Sequence, residues 1–275
     1  MDVEQHEEQS PKTLHARGIY LLPNLFTTAA LFAAFYSVIA AVKGYFDTAA
    51  MAIFIAMVAD TLDGRVARMT NTQSAFGAEY DSLSDMVAFG IAPALLAYTW
   101  ALSMLGKLGW LAAFLYVAAT ALRLARFNTQ AHDEDKRYFQ GIPCPAAAGV
   151  IAGVVWLCAA NHVVPAVYIA VLLALLTIFV AALMVSTIRY HSFKQIDLKG
   201  KVPFFFVVIP VLIITAIAMD PPEILFGIFF VYALSGPLMT LWQLRKMRRA
   251  AEATKKMKAD ISVVVDAAIG KEREV

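Results

Sequence analysis

Four aspartates crowd one short stretch of the chain: Asp60 and Asp63, then Asp81 and Asp85. They are spaced i, i+3 and i, i+4. On a helix turning about 100° per residue, positions 60, 63, 64, 67 and 68 share one face, and Gly77, Asp81 and Asp85 share another. Two such helices facing each other bring four carboxylates to one space. Like charges that close repel, and ionised groups at membrane depth are costly, so either some stay protonated or cations neutralise them. Hard oxygen ligands suit Mg²⁺ or Mn²⁺, and two such ions can clamp a pyrophosphate. No Cys or His lies near enough in sequence to suggest zinc. Gly64, Ala67 and Gly77 lack bulk, so a flat base or a phosphate can approach the helix backbone there. Arg68 adds a planar fork of donors for phosphate. The plain alternative, solvated carboxylates at helix ends, serves a single Asp well and four in this pattern poorly.

Long apolar helices must position these groups. The chain has 275 residues, 60% of them hydrophobic, and a mean hydropathy of +0.65. That is more apolar than a water-facing domain. Residues 24–42, 86–106, 108–122, 143–188 and 224–244 contain no charged side chain. Backbone groups in lipid must bond within their own segment, so these runs read as transmembrane helices. The fold class is all-α, a polytopic membrane bundle of about eight spans: 22–42, 47–67, 81–104, 108–127, 143–160, 163–186, 203–219 and 222–243. Turn signals at Lys43-Gly44, Gly106-Lys107, Asn161-His162 and Asp220-Pro221-Pro222 separate them on one side. That side carries only Lys43 and Lys107, whereas Arg65, Arg68, Arg126, Arg189, Lys194, Lys199, Lys201 and the tail collect on the other. Positive-inside reasoning therefore puts both termini and the longer loops in the cytoplasm.

The first span follows an acidic leader and lacks a small-residue cleavage site, so it reads as retained. Three regions result: a polar segment 1–21, expected to be loosely ordered at least to residue 16, a transmembrane domain 22–243, and a basic tail 244–275. The tail suits either a helix on anionic headgroups or a solvated, topology-fixing extension. Cys144 and Cys158 show neither zinc nor disulfide spacing. The five histidines are scattered and receive no chemistry. Tyr20, Trp100, Trp110, Tyr138, Tyr190 and Trp242 fall near span ends and read as interfacial anchors.

The stretch Asp60-x2-Asp63-Gly64-x2-Ala67-Arg68-x8-Gly77-x3-Asp81-x3-Asp85 resembles the complete signature of the CDP-alcohol phosphotransferases. The resemblance implies an enzyme that moves a phosphatidyl-type group from a CDP-linked lipid to an alcohol, releasing CMP. Asp60, Asp63 and Asp81 would then be metal ligands, with Asp85 a second-metal ligand and general base, and the ions Mg²⁺ or Mn²⁺, two in number. Gly64, Arg68 and Ser74 match positions that contact the CDP moiety. Asn24 and Thr27 are candidates for the same site, or ordinary polar residues at a helix start.

Further blocks, Leu22-Pro23-Asn24-Leu25-Phe26-Thr27, Asn71 to Asp85, Arg123-Leu-Ala-Arg126-Phe-Asn128 and Lys136 to Pro143, resemble the phosphatidylserine synthase branch. Cys144 departs from the serine expected there. The branch implies CDP-diacylglycerol and L-serine as substrates, a homodimer, and a bacterial-type inner membrane. A serine carboxylate needs a basic partner. Arg123, Arg126, Lys136, Arg137, Arg189 and Lys194 are on the correct side, with Arg126 and Arg189 preferred. Glycerol phosphate, inositol phosphate or choline are alternative acceptors, and a cation transporter is an alternative outside enzymes. Acceptors carrying phosphate call for a denser basic pocket, and choline for an aromatic cage.

Overall fold

The computed structural model describes residues 12–130, 138–191, 205–240, 242 and 245–247. These form a helical bundle: α1 (Lys12–Val42), α2 (Phe46–Thr70), α3 (Ala75–Asp85), a π-helical segment (Met86–Ile91), α4 (Ala92–Trp100), a 3₁₀ turn (Leu102–Leu105), α5 (Lys107–Gln130), α6 (Cys144–Ala160), α7 (Val167–Val185), α8 (Phe205–Met219) and α9 (Pro221–Met247). The all-α expectation holds for the architecture, with one small addition. Strands β1 (Tyr138–Gln140) and β2 (Arg189–His191) pair antiparallel, with Phe139 opposite Tyr190.

Among the described residues, five helices are long and apolar enough to cross a membrane: Leu22–Val42, Ala75–Trp100, Lys107–Thr129, Val167–Val185 and Pro221–Met247. Cys144–Ala160 and Val208–Met219 are shorter apolar helices. The expected count of about eight is thus not reached on length and composition. α2 falls short because Asp60, Asp63, Arg65 and Arg68 load its C-terminal half with charge. Large apolar side chains such as Phe32 and Phe35 on α1, Leu172 and Leu175 on α7, and Leu212 and Ile214 on α8 are exposed, as suits surfaces solvated by lipid tails.

α1 packs along α2 and also against α3 and α4, while α6 contacts α2, α4 and α7. Most of α6 is buried, from Cys144 to Trp156. Its Gly149 and Gly153, one turn apart, let α9 come close. A Cβ on Gly149 would stand 2.6 Å from the Phe229 ring, and one on Gly153 would stand 3.0 Å from the Phe226 Cα. Small residues at this spacing are how membrane helices gain contact where lipid offers no hydrophobic drive.

The structure shifts several expected boundaries. Helix α1 begins at Lys12, inside the segment read as loosely ordered; residues 1–11, most of the tail (248–275), and Lys136, Arg137 and Lys194 lie outside the described residues. The third span starts at Ala75, not 81, and ends at Trp100. Two aromatic residues read as interfacial anchors belong to the core: Trp100 is buried, and Tyr190 is fully buried with its hydroxyl donating to the Ala233 carbonyl at 2.9 Å. Trp110 and Trp242 are exposed, as anchors should be.

Candidate active site and metal centre

The site is built where α2 ends and α3 begins. Asn71 closes α2 in the left-handed conformation (φ 51°), its N–H bonded to the Ala67 carbonyl. Asn tolerates that region better than most residues, and the cap satisfies a carbonyl the helix end would leave free. Three residues on, Ser74 caps α3: its hydroxyl accepts the Gly77 N–H at 3.0 Å. The chain turns between Asn71 and Ser74 and brings the two acidic faces together.

One carboxylate oxygen from each of Asp60, Asp63 and Asp81 lies within 4.8 Å of the other two. An ion with oxygen ligands at about 2.0–2.6 Å fits such a triangle. The Oδ1 atom of Asp81 is buried without a hydrogen-bond partner. A buried, unpaired carboxylate oxygen costs stability, and a cation at this point removes that cost. The donor set is all oxygen, so the residues fit a hard divalent ion and not zinc. Asp85 stands apart from the triangle. It sits one turn beyond Asp81 and within hydrogen-bonding reach of the Asp60 carboxylate.

A third helix completes the site. Thr27 on α1 is buried, and its hydroxyl donates to Asp63 Oδ2 at 2.8 Å. The Ser84 hydroxyl of α3 donates to the Thr27 carbonyl at 3.2 Å, and Thr28 and Tyr80 join hydroxyls at 3.0 Å. α1 therefore ties the α2 aspartate to the α3 helix, a role that two-helix reasoning did not supply.

Next to the cluster lies a cavity of about 390 Å³. Its wall includes Asp63 and Asp81 together with Asn24, Thr27, Gly64, Ala67, Arg68, Ser74 and Gly77. Every residue expected to contact the CDP-lipid thus borders one space. A Cβ on Gly64 would meet only the Arg68 guanidinium, at 3.6 Å, and one on Gly77 would stand 3.1 Å from Ser74 Oγ and 3.5 Å from Asn24 Oδ1. Both glycines keep room beside these polar groups. Thr72, Gln73 and Phe127 also line the cavity and were missed. The first two sit in the turn whose shape the caps set, and Phe127 arrives from α5, which spacing along α2 and α3 does not reveal.

The basic candidates are placed differently from one another. Arg126 donates through Nη1 to the Val185 carbonyl at 3.1 Å, which occupies one of its five donors. Arg123 donates to the Gln140 carbonyl at 2.7 Å and contacts buried Cys144. Arg189 is located by its backbone opposite Gln140 in the ladder; its side chain lies outside what is described. All three belong to the segment where α5, β1 and β2 meet. Gly141, at φ +74°, completes this junction with its N–H on the Ile188 carbonyl.

Comparison with known proteins decides the family. The family model described as CDP-alcohol phosphatidyltransferase matches residues 20–182. The chain belongs to the CDP-alcohol phosphatidyltransferase family. A CDP-diacylglycerol–serine O-phosphatidyltransferase of Helicobacter pylori is 36% identical over 216 residues, spanning 78% of this chain and 90% of its own. Enzymes of the same name from Bacillus subtilis and Methanocaldococcus jannaschii are each 36% identical. The matches cover 54% of this chain and 77% of the Bacillus subtilis protein, and 52% of this chain and 63% of the Methanocaldococcus jannaschii protein. The family is metal-dependent, in keeping with the acidic triangle. The matched region contains both the triangle and the cavity beside it.

Proposed function

We propose that this protein transfers the phosphatidyl group of CDP-diacylglycerol to the hydroxyl of L-serine, forming phosphatidylserine and releasing CMP. The observation that carries the reading is the shared wall: nucleotide-sized space bounded by Gly64, Arg68, Ser74 and Gly77 is continuous with the oxygen cluster of Asp63 and Asp81. A phosphoanhydride lying between them has its base end in the cavity and its phosphates at the carboxylates. The names of the relatives supply serine as the acceptor.

In this reading Asp60, Asp63 and Asp81 hold divalent metal, Mg²⁺ or Mn²⁺ and two ions in all, with Asp85 a ligand to the second. A metal held there would neutralise diphosphate charge and make CMP a better leaving group. Arg68 binds phosphate through its guanidinium, and Asn24, Thr27, Gly64, Ala67, Ser74 and Gly77 shape the nucleotide site. The serine oxygen forms a bond to the lipid-proximal phosphorus. The bond from that phosphorus to the bridging oxygen breaks, and CMP departs with that oxygen. A serine hydroxyl is a poor nucleophile near neutral pH and must lose its proton as it attacks; Asp85 accepts it. Arg126 and Arg189 are the candidates for the serine carboxylate. The apolar groove of about 740 Å³ beside Pro143, Ala146, Phe229 and Tyr232 suits acyl chains.

The same reading assigns residues 22–243 to the catalytic membrane domain, 1–21 and 244–275 to cytoplasmic appendages, and a homodimer in the inner membrane. The eight spans are the five long helices together with α2, α6 and α8, and the active site faces the cytoplasm, where serine and CMP are soluble.

The test is purified full-length protein with CDP-diacylglycerol, Mn²⁺ or Mg²⁺, and labelled serine, glycerol phosphate, inositol phosphate or choline in parallel. Labelled lipid with equimolar CMP is expected from serine. Turnover confined to another alcohol contradicts the acceptor, and no turnover with any alcohol contradicts the activity.

A further inference from the structure

The helix that carries Asp81 and Asp85 does not continue as an α-helix. Immediately after Asp85, residues Met86–Ile91 are π-helical, and the N–H of Ala92 reaches back five residues to the Val87 carbonyl. Pro93 then opens α4. Proline has no N–H to give to the carbonyl four residues earlier, and its ring crowds that carbonyl. In an uninterrupted α-helix the carbonyl facing Pro93 is that of Phe89, a fully buried residue, and Pro93 cannot bond it. Such a group needs a partner from elsewhere. The hydroxyl of Tyr116, on α5 and also fully buried, donates to it at 2.9 Å.

The surroundings hold this turn from both sides. Thr120, one turn along α5, bonds back to the Tyr116 carbonyl at 3.0 Å. Its methyl lies so close to the π segment that a Cβ on Gly90 would stand 3.2 Å from it. On the near side of Asp85, Ser84 is latched to α1 through the Thr27 carbonyl. A π-helical turn inserts one residue into the helical register, a rotation of about 100° for everything on one side of it. α4 is locked into the core by Ala92, Ala94, Leu96 and Ala97, so the rotation falls on the Asp81–Asp85 side. An uninterrupted α-helix over 75–100 would aim Asp85 elsewhere.

We propose that Tyr116 is a positioning residue for Asp85: by capping the Phe89 carbonyl, which Pro93 cannot bond, it holds the π-helical register that points the Asp85 carboxylate at Asp60. The proposal rests on Asp85 being the base in the reading above, and it concerns two residues outside the aspartate signature. It separates the aim of the carboxylate from its chemistry.

The experiment uses the full-length protein in lipid nanodiscs with saturating Mn²⁺. It measures serine transfer, thermal unfolding and Mn²⁺ binding for Tyr116→Phe, Pro93→Ala and the double variant. Tyr116→Phe removes a single oxygen. It is expected to lower kcat at least tenfold, with KM for CDP-diacylglycerol within twofold, Mn²⁺ binding at the Asp60, Asp63 and Asp81 triangle retained and Tm reduced. Pro93→Ala restores an N–H that competes for the Phe89 carbonyl and favours the uninterrupted helix. It should lower kcat without lowering Tm. In the double variant the new N–H satisfies the carbonyl, so Tm should recover while kcat does not. Wild-type kcat in either single variant, or recovery of kcat together with Tm in the double variant, overturns the proposal in favour of a purely structural tyrosine. Asp85→Asn in the same assay separates the two levels. If it is inactive and Tyr116→Phe is not, only the positioning role fails; if it is active, the base assignment fails as well.

Discussion

Thr27 is the residue on which two parts of the site meet. Its hydroxyl gives Asp63 a hydrogen bond, and its carbonyl receives one from Ser84. A neutral donor on a charged acceptor is worth roughly 1.5–3 kcal/mol. Removing it takes away one of the bonds that hold Asp63 in the triangle. Thr27→Val, close to isosteric, should raise the Mn²⁺ concentration for half-maximal rate about tenfold, and Thr27→Ser should restore it; a metal titration of initial rates reads this directly. Asp85→Asn should abolish turnover while CDP-lipid binding survives, because the three-oxygen triangle does not include it. Arg126→Ala should raise KM for serine more than KM for the lipid, whereas equal effects indicate that its bond to the Val185 carbonyl is its whole role. At this scale the sequence was informative because the chemistry sits on neighbouring positions of two helices. Asp60, Asp63 and Asp81 meet as their spacing implied. Thr27 was legible only as a polar residue at a helix start, since its partner lies 36 positions away.

Among the elements, the α2–α3 turn and the α6–α9 contact are the most sensitive. Ser74 caps α3 and also borders the cavity beside the aspartates, the proposed nucleotide site. Ser74→Ala should cost about 1 kcal/mol in stability, the usual worth of such a cap, and should raise KM for CDP-diacylglycerol with little change in KM for serine. At the other contact, a Cβ on Gly149 cannot coexist with the Phe229 ring at 2.6 Å. Gly149→Ala should therefore lower Tm by several degrees, and Phe229→Leu should recover part of the loss in the double variant, as thermal unfolding in detergent will show. Turn signals served the element boundaries well: Gly44 and Gly106 adopt positive φ, as does His162 in the Asn161-His162 pair, and the first span begins at Leu22 and ends at Val42 as expected. The π-helical segment was invisible for a physical reason. Residues 86–106 are apolar on every side, so no periodic pattern reports a change of register. The β1–β2 ladder was missed because three residues per strand carry no alternation to read.

For the molecule as a whole, the proposed topology places charge where it can be tolerated. The proposed eight spans require α2, α6 and α8 to cross as well, with Lys43, Lys107 and His162 on the outer face and the Asn71–Ser74 turn inside. Single cysteines introduced at Lys43, Lys107 and Gln73 of a variant lacking Cys144 and Cys158 test this by labelling with an impermeant maleimide in intact cells. The first two should react, and the third only after permeabilisation; the reverse pattern contradicts the orientation. The proposed activity depends on the aspartate triangle being a metal site. Mn²⁺ binding to the full-length protein in nanodiscs, followed by electron paramagnetic resonance without any lipid substrate, measures that alone. Saturable binding that Mg²⁺ displaces, weakened at least tenfold in Asp81→Asn, is the predicted result. Absence of such binding, or binding unchanged in Asp60→Asn, Asp63→Asn and Asp81→Asn alike, contradicts it.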